Sequence, residues 1–134
     1  MRIIKILIGL FVGVFILFLA YIYISNAYVL PWEKKEAIQA TLEMGGLNEL
    51  PSGIKNLQID KRGSIFTRQF IIEFEFEDSK EIDNWIKQSK RLKNNVPKIK
   101  DNIKTYEIFP GENDAYGGKV EIQDKKVRID MSWS

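Results

Sequence analysis

A chain of 134 residues has room for one folded domain and a tether, and is too short for two domains of ordinary size. It contains neither Cys nor His, so disulfides, thiolate nucleophiles, a lipid-bearing cysteine, imidazole bases and the commonest metal ligand are all excluded. Its 20 Lys and Arg outnumber its 18 Asp and Glu only through Arg2 and Lys5, so the rest is neutral and lacks the dominant positive field that general nucleic-acid binding needs.

From Ile6 to Ile24 the chain carries no charge, reading ILIGLFVGVFILFLAYIYI. About 20 such residues cross a hydrocarbon layer of roughly 30 Å at 1.5 Å per residue. Tyr21, Tyr23, Tyr28 and Trp32 gather at the far end, where amphipathic rings favour the membrane–water boundary. Residues 1–30 therefore read as a transmembrane anchor, with residues 6–24 in the bilayer. A cleaved secretory signal is the rival reading, since Ser25-Asn26-Ala27 places small residues near a cut. Against it, a signal's apolar core is typically about 7–15 residues, and here tyrosines crowd the site. Gly9 and Gly13 have the G-x-x-x-G spacing that lets two helices approach closely, a route to weak self-association. The short leader with Arg2 and Lys5 is expected to stay inside. Lys34 and Lys35 beyond the span alternate with Glu33 and Glu36. The expected location is a bacterial cytoplasmic membrane, with the C-terminal domain extracytoplasmic.

Pro31 suits a first helical turn, and Gly45-Gly46 stops that helix, so residues 31–46 are expected as a juxtamembrane helix. Residues 47–134 are expected as the folded domain. Ile54, Leu57 and Ile59 suggest a strand closed by a Lys61-Arg62-Gly63-Ser64 turn. The clearest segment follows. Phe66, Phe70, Ile72, Phe74 and Phe76 share one parity and Glu73, Glu75 and Glu77 the other, the signature of a strand with one dry and one wet face. Asp78 can cap the next helix with Glu81 as its box partner, and Ile82, Trp85, Ile86, Ser89 and Leu92 repeat at helical spacing before Pro97. Residues 98–104 give no clear signal. Tyr106 and Ile108 suggest a strand, residues 110–118 a turn-rich loop, and Val120 to Trp133 a terminal hairpin turning at Asp124-Lys125. The expected class is α+β: one antiparallel sheet in β-β-α-β-β-β order, packed by one helix.

Candidate chemistry is sparse. Glu73, Glu75 and Glu77 stand about 7 Å apart along one strand face, a spacing compatible with a carboxylate-dependent glycan enzyme, though a solvated face is the plainer reading. Glu112-Asn113-Asp114 lies among glycines but lacks the ligand spacing of a calcium loop, so no metal and no cofactor is expected. Lys87, Lys90, Arg91, Lys93, Lys98, Lys100 and Lys104 form a basic run suited to a solvated face, anionic headgroups or an acidic protein partner. Tyr116, beside Gly117 and Gly118, is a candidate contact anchor. No nucleophile elbow, P-loop or nucleotide fingerprint is present.

The Leu50-Pro51-Ser52 turn, the Phe70–Phe76 strand, Ile82-Asp83-Asn84-Trp85 and the closing Val127 to Trp133-Ser134 resemble a pattern in small, uncharacterised bacterial membrane-anchored or secreted proteins. The resemblance implies a bacterial envelope protein and carries no activity. The expected function is a non-enzymatic one, in which a tethered domain binds a protein or modulates a membrane complex. Binding sites are sought at Glu73, Glu75, Glu77, Lys90, Arg91, Lys93 and Tyr116. An immunity-type protein neutralising a toxin at the membrane is the alternative within that class, and the glycan enzyme the alternative outside it.

Overall fold

The computed structural model describes the whole chain except residues 65, 111–114 and 134, and for residues 115 and 116 only the backbone. Helix α1 (Arg2–Ala27) is continuous over 26 residues, about 39 Å at 1.5 Å per residue. None of its residues is buried, and its most apolar window has a mean hydropathy of 2.9, so it is long and apolar enough to cross a membrane. After a turn at 31–33, helix α2 (Lys34–Gly45) ends where Gly46 turns left-handed at φ 59° and its N–H returns to the Glu43 and Leu42 carbonyls. That close was legible in Gly45-Gly46, because only glycine enters this conformation freely.

Six strands follow: β1 (Lys55–Gly63), β2 (Arg68–Glu75), β3 (Lys98–Lys100), β4 (Ile103–Ile108), β5 (Ala115–Gln123) and β6 (Lys126–Trp133), with helix α3 (Ser79–Gln88) after β2. They form one sheet in the order β1-β2-β6-β5-β4-β3, and every neighbouring pair is antiparallel. The α+β class is as expected. The order differs by one strand: β3 is extra, a three-residue edge piece whose residues are all exposed and so show no apolar alternation. β1 also runs on through Lys61, Arg62 and Gly63, where a turn was expected. Beyond it, Ser64 N–H donates to the Thr67 carbonyl at 2.9 Å.

The alternation in β2 decides which face is dry. Phe70, Ile72 and Phe74 stand opposite Met131, Ile129 and Val127 of β6, which continue across to Val120 and Ile122 of β5 and Tyr106 of β4. All are buried. Two helices cover this face, not the one expected. α3 seats Ile82 and Trp85 at the Phe74 end, where the Trp85 ring lies 6.0 Å from both Phe74 and Phe76. Its indole N–H donates to the Asn48 carbonyl at 3.0 Å. Asp78 caps α3 by accepting from Lys80 N–H at 3.0 Å, while the buried Oε2 of Glu81 makes no hydrogen bond to any described residue. α2 lays Ala37, Thr41, Leu42 and Gly45 at the other end. A Cβ on Gly45 would come within 3.5 Å of the Met131 side chain. The segment expected as a juxtamembrane helix is thus part of the core, through Ala37 and Leu42 with Ile38 and Met44 packed against them. Burying each large apolar side chain contributes about 1.5–3 kcal/mol.

One contact ties the end of α1 to the sheet. Lys61 Nζ donates to the Ser25 carbonyl at 2.7 Å. The last turn of α1 carries no cation of its own, so Lys61 supplies the positive charge that the helix C-terminus favours.

Candidate functional site

Among the described residues the opposite sheet face carries no helix, and apart from the buried Ile71 it is built from the polar parity of four strands. Gln58, Glu73, Arg128 and Glu121 form one row across β1, β2, β6 and β5, and Glu75, Lys126 and Gln123 form the next. A shallow depression of about 480 Å³ lies over these rows. Antiparallel pairing sets opposite charges side by side. Glu73 meets Arg128 at 3.2 Å, Glu75 meets Lys126 at 3.7 Å, and Lys119 pairs with Glu121 along β5. One row further, Gln69 Nε2 donates to Asp130 Oδ1 at 2.8 Å. The side chains of Glu73 and Arg128 remain 47% and 42% exposed, so each pair is open to a docking partner and contributes at most about 1 kcal/mol to stability.

Glu73 and Glu75 therefore belong to one surface, as their parity implied. Glu77 does not. It lies beyond the end of β2 and pairs with Lys55 at 3.2 Å. The cations Lys126 and Arg128 and the acids Glu121 and Asp130 complete the surface and were missed. Their signal was present in the alternation of β6, where Lys126, Arg128 and Asp130 interleave with Val127, Ile129 and Met131. What the sequence did not show was the β2–β6 pairing that brings them beside the glutamates.

The basic run is spread over several elements. Lys87 ends α3, Lys90, Arg91 and Lys93 occupy the turns after it, Lys98 and Lys100 lie on β3, and Lys104 on β4. Arg91 is structural: its backbone N–H donates to the Gly46 carbonyl at 3.1 Å and its guanidinium to the Phe109 carbonyl at 3.2 Å. Its side-chain carbons also pack so closely on Gly46 that a Cβ there would meet Cγ at 2.6 Å. Lys93 is exposed and Lys98 pairs with Glu107 at 2.8 Å. The Tyr116 side chain and the Glu112-Asn113-Asp114 cluster lie outside the described residues. Among those described, no group of three Asp or Glu side chains is placed to hold a metal ion.

Chemically, the open face offers hydrogen-bonding charges of both signs at strand spacing. In comparison with known proteins, the chain matches no family model, no curated protein and no solved structure.

Proposed function

We propose that this chain is a single-pass membrane protein of a bacterial envelope, with its domain outside the cytoplasm. In this reading the domain binds another protein through the open sheet face and catalyses no reaction. The observation that carries the reading is the asymmetry of the sheet. Two helices close one face, while the other presents Glu73, Arg128, Glu121, Glu75 and Lys126 as a field of alternating charge. Such a field gives specificity and register to an encounter more than raw affinity, and suits a partner concentrated beside it by a tether. The exposed apolar helix supports the tether, and the short basic leader supports the orientation.

The test is affinity capture of the full-length tagged protein from solubilised native membranes, with α1 alone as control. A partner retained by the native chain and lost on Glu73→Lys with Glu121→Lys supports the proposal. A partner retained equally by that variant, or by α1 alone, refutes it. A C-terminal alkaline phosphatase fusion tests orientation: activity supports an outside domain, and silence contradicts it.

A further inference from the structure

A second cavity, of about 430 Å³, opens at the seam between the anchor and the domain. Asn26 and Val29 follow α1 into it, Glu33, Glu36 and Ala37 come from the start of α2, and Arg62 and Arg68 from the β1–β2 hairpin. Its walls differ in sign: carboxylates on the α2 side, and on the hairpin side Arg68, which shares the sheet face of Phe70 and Trp133, whereas Arg62 pairs with Gln69 and its side chain belongs to the other face. None of Glu33, Glu36 and Arg68 forms an ion pair with any described residue. Glu33 Oε2 accepts weakly from Leu30 N–H at 3.4 Å, and the Arg68 guanidinium hydrogen-bonds to no described residue. Opposite charges that line one cavity without meeting leave their fields available to something between them.

The height of this cavity follows from the anchor. Lys61, which also lines it, is fixed on the carbonyl of Ser25, the first residue after the apolar run. If the run fills the hydrocarbon layer, the cavity lies where phospholipid headgroups begin. Tyr28, Trp32 and Phe66 are exposed nearby in the chain, the residue type that settles at this boundary. Phe70 and Trp133 give the cavity an apolar lining.

We infer that the cavity binds the headgroup of a zwitterionic phospholipid carrying a primary ammonium, with its phosphate on Arg68 and its ammonium on Glu33 and Glu36. Guanidiniums take phosphate oxygens in pairs, and an ammonium donates up to three hydrogen bonds to carboxylates. A purely anionic headgroup meets repulsion from the α2 side, and a quaternary ammonium has no hydrogen to donate there. The inference rests on the anchor spanning the bilayer and not on the open sheet face.

The test uses the full-length chain in nanodiscs containing equal amounts of phosphatidylethanolamine, phosphatidylglycerol and phosphatidylcholine, with retained lipids read by native mass spectrometry. Failure to enter the discs overturns the spanning anchor, whereas entry without lipid preference overturns the headgroup site alone. The expected result is retention of phosphatidylethanolamine about tenfold over either competitor. Arg68→Gln abolishes the adduct. Glu33→Gln with Glu36→Gln keeps lipid bound but brings the ethanolamine-to-glycerol ratio to about one, a change of preference that unfolding does not produce. Preference for phosphatidylglycerol, or unchanged retention in both variants, refutes the site. So does binding of soluble phosphoethanolamine without any lipid adduct.

Discussion

Trp85 anchors α3 on the Phe-rich sheet face, so replacing it tests the asymmetry behind the proposed function. The side chain is 2% exposed, lies against Phe74 and Phe76, and donates to the Asn48 carbonyl at 3.0 Å. Trp85→Phe removes the N–H, worth about 1 kcal/mol net. It also removes ring atoms equivalent to one or two buried methylenes at about 0.8 kcal/mol each. The sum is about 2 kcal/mol, and Trp85→Ala, which leaves a cavity, costs about 4 kcal/mol. For a domain of this size 2 kcal/mol lowers Tm by about 10 °C. Thermal unfolding of the full-length protein in non-ionic micelles, followed by near-ultraviolet circular dichroism, measures both. A Phe variant as stable as the native chain, with an Ala variant losing less than about 1 kcal/mol, means that α3 does not rest on the Phe-rich face.

Other outcomes follow from single groups. A Cβ on Gly118 would overlap the Asp130 carbonyl and lie 2.7 Å from Met131 Sδ, so Gly118→Ala is expected to disrupt the β5–β6 pairing and cost more than about 2 kcal/mol in urea unfolding. Asp78→Ala removes the cap of α3 and costs about 1 kcal/mol by the same assay, while Asp78→Asn restores it. Tyr106 has its pKa raised above 10.0, first by burial and then by Asp83. Its neutral form is therefore favoured in the folded state. That contribution is fully present below pH 10.0 and is lost as pH rises through the folded value, since the folded state then binds more protons. Urea unfolding at pH 9 and pH 11 is expected to show a steeper alkaline loss in the native chain than in Tyr106→Phe, and equal losses contradict it.

Patterns local in sequence were legible. The two-residue period of Phe70 to Phe76 and of Val127 to Trp133 predicted both strands and their dry faces, because burial of one sheet face imposes that period. Asp78 and Gly45-Gly46 marked helix ends through backbone chemistry that acts over a few residues. What depended on pairing was not legible. β3 was invisible because an exposed three-residue edge needs no apolar side chain. The docking of α2 on the core was not legible, because three of its four buried residues, Ala37, Thr41 and Gly45, are small and only Leu42 is a large apolar side chain. Lys61 and Arg68 read as turn and strand-start residues, and only the fold carries them to Glu33 and Glu36 at the start of α2. The basic run misled in the other direction: Arg91 is committed to holding Gly46 and Phe109 in place.

The most direct measurement of the role of the open face is site-specific photocrosslinking in native membranes. A photoreactive residue at Gln123, exposed on the open face, is compared with one at Lys80, exposed on α3. A discrete adduct from position 123 and none from position 80 is the expected result. Adducts from position 80 alone, or none from position 123 while the chain is folded and in the membrane, contradict binding through the open sheet.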